Sequence, residues 1–152
     1  MIHIEVPGAV PLDLTHAAID FNGTLALDGQ LLAGVAERLQ ALAALLTCHI
    51  LTADTFGTAA EAVKGLGCSV VRVGTGAEKA DWVRRTRGQV VAIGNGHNDR
   101  AMFEAAALSI GVIGPEGACG PAVLAADVVV THVTDAFDLL LHPRRLTAVL
   151  RP

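Results

Sequence analysis

The stretch that decides the fold is Ala17-Ala18-Ile19-Asp20-Phe21-Asn22-Gly23-Thr24-Leu25-Ala26. An apolar run of β character ends at a single carboxylate, Asp20, and a glycine that can turn the chain follows closely. In an open parallel sheet, ligands bind just beyond the carboxyl ends of the strands, so we expect Asp20 at the reactive edge. A carboxylate buried there requires a cation or hydrogen-bond donors. Taken alone, however, Asp20 could equally be an ordinary turn residue.

The remainder of the chain alternates short apolar strands with helices. The pattern predicts strands at residues 2–6, 15–20, 48–52, 69–73, 89–93, 108–112 and 127–131, and helices at 32–46, 58–66, 77–87 and 139–150, the last interrupted near Pro143, with two more after the 94–99 loop and after Pro121. Near-continuous apolar strands between helices are typical of a parallel sheet covered on both faces. We therefore predict one doubly wound, Rossmann-like α/β domain over residues 1–152. Asp28-Gly29 between apolar flanks predicts a small β-hairpin flap directly after Asp20.

Composition excludes several classes of function. The net charge of −4 provides no broad cationic surface for nucleic acid or anionic lipid. The apolar run at 31–46 contains Glu37, Arg38 and Gln40, so it does not predict a membrane span. The three cysteines, with no CxxC pair, predict reduced thiols rather than a disulfide frame or a zinc site. With no signal peptide evident at the N-terminus, we expect a cytoplasmic protein.

Polar side chains follow several strands at one edge of the predicted sheet. Asp20 could attack phosphorus and form an aspartyl phosphate. Thr52 and the backbone N–H groups after it could bind phosphoryl oxygens, and Lys79 could offset the charge. Asp99 could hold a hard cation such as Mg²⁺. Each signal has a plainer explanation as a strand end, a solvated helix face or a helix cap, and only their order and spacing together indicate a phosphate site.

That order resembles the haloacid dehalogenase-like (HAD) phosphohydrolase superfamily, and within it the soluble relatives of P-type ATPase phosphorylation domains. Asp20-Phe21-Asn22-Gly23-Thr24-Leu25 looks like the first motif, Leu51-Thr52 the second and Lys79 the third. Gly94-Asn95-Gly96-His97-Asn98-Asp99 is similar to the fourth, usually written Gly-Asp-Gly-x-Asn-Asp. The resemblance implies catalytic residues Asp20, Asn22, Thr52 and Lys79, phosphate-binding residues Thr52, Ala53, Lys79 and Asn98, and Mg²⁺ ligands Asp20, Asn22 through its carbonyl, Asn95 and Asp99.

Two positions depart from the usual superfamily pattern. Asn22 stands where the phosphatases carry a second Asp that protonates the leaving group, and an amide cannot transfer that proton. Asn95 stands where the family usually supplies its first metal carboxylate, so one negative charge is missing from the cation site. We therefore expect a slow phosphatase and a weakly held Mg²⁺.

The intervals between motifs leave no room for the cap domain with which many members choose substrates. Such capless relatives either act on macromolecules or assemble so that a neighbour covers the site. We expect a small phosphorylated metabolite as substrate and a homo-oligomer, either a dimer or a tetramer. The alternative is a non-catalytic phosphate-sensing or partner-binding module that kept the fold, and Asn22 and Asn95 favour it.

Overall fold

Nine strands and seven helices alternate through the computed structural model, which describes residues 1–152. The strands are β1 Ile2–Ile4, β2 Leu12–Asp20, β3 Ala26–Leu27, β4 Gln30–Leu31, β5 Thr47–Thr52, β6 Cys68–Arg72, β7 Gln89–Gly94, β8 Leu108–Val112 and β9 Val128–Val130. The helices are α1 Val35–Ala43, α2 Thr58–Ala62, α3 Gly76–Arg85, α4 Arg100–Ala105, α5 Gly120–Ala125, α6 Val133–Leu141 and α7 Pro143–Leu150, with a 3₁₀ turn over His97–Asp99 before α4.

The main sheet has the order β6-β5-β2-β7-β8-β9, with all these strands parallel. β1 adds an antiparallel pairing to the start of β2. From β2 the chain moves outward to β5 and β6, and it then crosses back to β7 on the opposite side of β2. The strand order therefore reverses between β2 and β7, and a crevice beyond the strand ends at such a point is the usual ligand site. Asp20 ends β2 at this position.

Helices cover both faces of the sheet, which confirms the doubly wound prediction. Alternate side chains of β2 point to opposite faces. Ile19 belongs to the larger apolar core with Phe137 of α6, whereas Ala18 belongs to the smaller one with Val83 of α3 and Phe103 of α4. None of the helices combines the length and apolar character needed to cross a membrane.

The hairpin flap forms as the sequence predicts. β3 and β4 pair antiparallel through two residue pairs, and Asp28 and Gly29 make the turn with φ values of 51° and 79°. Positive φ at both central residues matches the twist of the flanking strands, which is why Asp-Gly is favoured there. This short flap and the loops on either side of it fill the whole interval between β2 and α1.

Three helix predictions are wrong in their bounds, and the one at 58–66 ends already at Ala62. The predicted helix at 32–46 is shorter, because Gly34 precedes α1 in a left-handed conformation with φ of 78°. The predicted break near Pro143 in the helix at 139–150 is confirmed, because α6 ends at Leu141 and α7 begins at Pro143, but α6 begins earlier than predicted, at Val133. Buried Val133, Phe137 and Leu140 recur at helical spacing and hold α6 against the sheet. Pro143 begins α7, where its missing N–H costs no hydrogen bond.

Candidate active site

Asp20 lies at the end of the central strand, with its backbone paired into the sheet. Its side chain is only 10% exposed. β5 and β7 flank β2 on either side, so main-chain hydrogen bonds fix the height at which the carboxylate emerges. A carboxylate so enclosed needs nearby donors, and the structure supplies them from other segments.

The first donor is Lys79, one turn into α3. Thr75 and Glu78 form a reciprocal capping box that fixes the start of this helix. Gly76 lies directly against the backbone of Asn98, where a Cβ would be 2.8 Å from the carbonyl oxygen. This close approach brings Lys79, whose side chain is 2% exposed, inward towards the end of the central strand.

The Lys79 ammonium bridges two carboxylates. Its Nζ lies 2.7 Å from Asp20 Oδ1 and 2.8 Å from Asp99 Oδ1. The other oxygen of Asp99 accepts hydrogen bonds from the backbone N–H groups of Asn95 and Gly96, at 3.0 Å and 2.9 Å. The fully buried Asp99 therefore holds the loop after β7 and positions Lys79. Both of its oxygens already accept hydrogen bonds, and its role as a metal ligand stays a prediction.

Thr24 is a site residue to which the sequence pattern assigned no role. Its buried hydroxyl lies 3.2 Å from Asp20 Oδ2 and 3.1 Å from Asn95 Oδ1. Asp20 Oδ2 and Asn95 Oδ1 thus both lie next to the Thr24 hydroxyl, beside the turn at Gly23. The sequence did contain a signal for this contact. Thr24 follows Asp20 by four residues, and the turn at Gly23 brings the chain back past the carboxylate.

The charges in this cluster do not balance, because one ammonium serves two carboxylates. Burial, followed by repulsion from Asp99, raises the pKa of Asp20 from 3.8 to about 6, against the opposing effects of Lys79 and Thr24. Burial alone would lower the pKa of Lys79, but the two carboxylates hold it above its usual value. Near neutral pH the cluster therefore carries one net negative charge in a largely buried position.

The donor set fits a hard divalent cation. The carboxylate oxygen of Asp20 and the amide oxygen of Asn95 converge near Thr24, and hard cations prefer oxygen ligands. The net negative charge also complements a cation. No group of three His, Cys, Asp or Glu side chains is arranged to hold a metal, so a cation here would depend on amide and carbonyl oxygens as well. The predicted carbonyl ligand, Asn22, lies in the same turn.

The other predicted residues lie at or just after the ends of β2, β5 and β7. Thr52 is buried one residue beyond Leu51, which pairs with Asp20 across β2 and β5, and its hydroxyl accepts from the backbone of Asp54 at 3.3 Å. The exposed Asn22 and Ala53 both line a cavity of about 420 Å³. Asn98 is exposed, with its side chain over Gly96 and in no hydrogen bond. The phosphate-binding and catalytic roles of these residues stay predictions.

Comparisons with solved structures identify the fold. A protein of Streptomyces avermitilis described as a HAD-family hydrolase matches with a TM-score of 0.69 and 21% identity, over 90% of this chain and 88% of that one. The fold is that of the HAD superfamily. The 3-deoxy-D-manno-octulosonate 8-phosphate phosphatase of Moraxella catarrhalis, solved with magnesium, phosphate and its sugar, shares this HAD fold with a TM-score of 0.73 and 19% identity, over 89% and 90% of the two chains.

The HAD fold also matches part of a membrane pump. A zinc-transporting PIB-type ATPase aligns with a TM-score of 0.64 and 25% identity over 78% of this chain, which spans only 20% of the transporter. Among curated proteins, an uncharacterized protein of Methanocaldococcus jannaschii is 48% identical over 63 residues, which are 41% of this chain and 68% of that protein. The two belong to the same family. No protein-family model matches the chain.

Proposed function

We propose that this chain is a Mg²⁺-dependent phosphohydrolase that works through an aspartyl phosphate on Asp20. The observation that carries the proposal is the buried bridge from Lys79 to Asp20 and Asp99, at the point where the strand order of a HAD fold reverses. The phosphatase of Moraxella catarrhalis that shares the fold was captured with magnesium and phosphate. Our proposal extends that chemistry to this chain.

In the first step, a carboxylate oxygen of Asp20 attacks phosphorus. The bond from phosphorus to the leaving oxygen breaks, and that oxygen departs with the electron pair. Because the pKa of Asp20 is about 6, the carboxylate is largely ionised near neutral pH and available as the nucleophile. Lys79 keeps it oriented and offsets the charge that the phosphate brings. When bound, the cation would add positive charge beside the transferred phosphoryl group.

In the second step, a water oxygen attacks phosphorus, which releases inorganic phosphate and restores the Asp20 carboxylate. Both steps need a proton transfer that Asn22 cannot perform. Loss of a general acid/base typically lowers a rate by about 10²–10⁴-fold. We therefore propose a slow enzyme that favours substrates with good leaving groups, such as acyl or aryl phosphates.

We further propose a small phosphorylated metabolite as substrate and a homo-oligomer as the working form, in the cytoplasm. The cavity beside Asn22 and Ala53 is large enough for a small metabolite, and Phe56 on its rim is 93% exposed. We propose that substrate or a neighbouring subunit covers this aromatic ring. Sedimentation at micromolar protein tests the assembly, and a monomer would contradict it.

Hydrolysis of acetyl phosphate and p-nitrophenyl phosphate with Mg²⁺ tests the activity. Wild type should release phosphate, Asp20→Asn should not, and the exposed control Asp81→Asn should match wild type. If wild type hydrolyses neither compound, the proposal is contradicted. That result would instead favour a non-catalytic phosphate-binding module, for which Asn22 and Asn95 are the specific observations. Phosphate binding by wild type, measured by calorimetry, would then support that second function.

A further inference from the structure

The turn after β8 brings an acidic side chain to the Asn95 side of the site. Glu116 is exposed and makes no hydrogen bond or ion pair within the chain. A methyl group on Gly23 would stand 3.1 Å from Glu116 Cδ, in contact with its Oε2, and 2.6 Å from Asn95 Nδ2. The Glu116 carboxylate and the Asn95 amide are therefore neighbours over Gly23, in the turn that follows the nucleophile.

Two contacts fix this turn against the site. Gly117 donates to the carbonyl of Gly114 at 2.9 Å, which closes the turn. Gly114 then packs so closely on Gly23 that a Cβ would be 2.7 Å from the Gly23 carbonyl oxygen. The position of Glu116 is thus set by its backbone neighbours, although its own side chain is unpaired.

Asn95 itself stabilises the turn. Its Nδ2 donates to the Gly117 carbonyl at 3.3 Å, and its backbone carbonyl accepts from Cys119 at 2.8 Å. An aspartate has no donor with which to make the first bond. Asn95 therefore does two things. It places a neutral amide and not a carboxylate at the cation site, and it holds the turn that carries Glu116 in place.

We propose that Glu116 supplies, from this turn, the negative charge that Asn95 lacks at the cation site. Asp20, Asp99 and Lys79 together carry one net negative charge, and Glu116 adds a second, which matches a divalent cation. Glu116 lies on the Nδ2 side of Asn95 and forms no three-carboxylate group with Asp20 and Asp99, so it would act through its charge and not as a direct ligand. This inference rests on the cation site of the proposed function and assigns it one further residue.

Calorimetric titration of the full chain with Mg²⁺, and electron paramagnetic resonance with Mn²⁺, test the proposal without using activity. Glu116→Gln should weaken binding by about 10–100-fold, the usual effect of losing a supporting group at a metal site. Glu61→Gln removes an equal charge from the exposed surface of α2 and should bind as wild type does. The double variant Glu116→Gln with Asn95→Asp should recover most of the lost affinity.

The outcomes separate this inference from the function on which it rests. Equal affinity in wild type and Glu116→Gln would overturn the role of Glu116 and leave the phosphohydrolase standing. A loss that Asn95→Asp does not restore would mean that the turn acts only structurally, and would also overturn it. If wild type binds neither Mg²⁺ nor Mn²⁺, the cation site and the proposed function fail together.

Discussion

Replacement of Asp20 by asparagine should make the metal-free protein more stable. The buried carboxylate is costly in its ionised form, because its pKa is raised from 3.8 to about 6. At 1.36 kcal/mol per pKa unit, ionised Asp20 lowers the free energy of unfolding near pH 7.5 by roughly 3 kcal/mol relative to a neutral group. Asp20→Asn removes this charge but keeps the shape and a hydrogen-bond acceptor for Lys79. This result would mean that wild type loses stability by keeping an ionised nucleophile in a buried position.

The pH dependence gives this prediction its sign. A raised pKa in the folded state means that the contribution of Asp20 to stability is full below about pH 4 and is lost as the pH rises through about 6. The advantage of Asp20→Asn should therefore be greatest above pH 7 and disappear near pH 4. Adding Mg²⁺ should narrow the gap at pH 7.5, since a ligand of the native state stabilises only the protein that binds it.

Urea unfolding with a chelator, repeated between pH 4 and 8, measures this difference. Asp81→Asn is the control, because Asp81 is exposed and pairs only with Arg84, so its loss should change stability by no more than about 0.5 kcal/mol. If Asp20→Asn is no more stable than wild type at pH 7.5, or if its advantage does not fall with pH, the electrostatic account of the cluster is wrong.

Three further substitutions test the same site. Lys79→Met should abolish phosphatase activity and lower stability by about 3–5 kcal/mol at pH 7.5, since two buried carboxylates lose their cation; unchanged stability would contradict the bridge. Asn22→Asp should raise turnover of alkyl phosphates by about 10²–10⁴-fold and also raise that of p-nitrophenyl phosphate, because the new carboxylate can activate water in the second step for every substrate; unchanged or lower turnover of both would show that no proton transfer is missing. Gly23→Ala should cost about 1–3 kcal/mol for its positive φ, plus the clash with Asn95. Gly57→Ala, with a similar φ and open space around it, should show the backbone cost alone.

The sequence predicted the sheet and the position of the nucleophile because both depend on local pattern. Apolar runs that end in a polar residue define β2, β5 and β7, and Asp28-Gly29 specifies its turn by backbone conformation alone. The start of α6 was missed because Val133 follows a strand whose apolar run extends almost to it. Only packing against the sheet separates the two elements.

Contacts between segments distant in sequence were harder to predict. The spacing of motifs indicated that Lys79 and Asp99 would lie near Asp20, but not that one ammonium would bridge both carboxylates. The hydrogen bond from Thr24 to Asn95 and the approach of Glu116 to Gly23 join residues 71 or more positions apart. No local signal marks such contacts, because they follow from how the turns after β2, β7 and β8 pack on one another.

The most direct test of the account is to trap the phosphorylated protein. Wild type is incubated with acetyl phosphate and Mg²⁺, quenched in acid and analysed by mass spectrometry of the intact protein and of its peptides. Because Asn22 cannot activate water for the second step, the account predicts a phosphoryl adduct that accumulates on Asp20 and is absent in Asp20→Asn. An adduct on another residue, or phosphate release from acetyl phosphate that persists in Asp20→Asn, would contradict it.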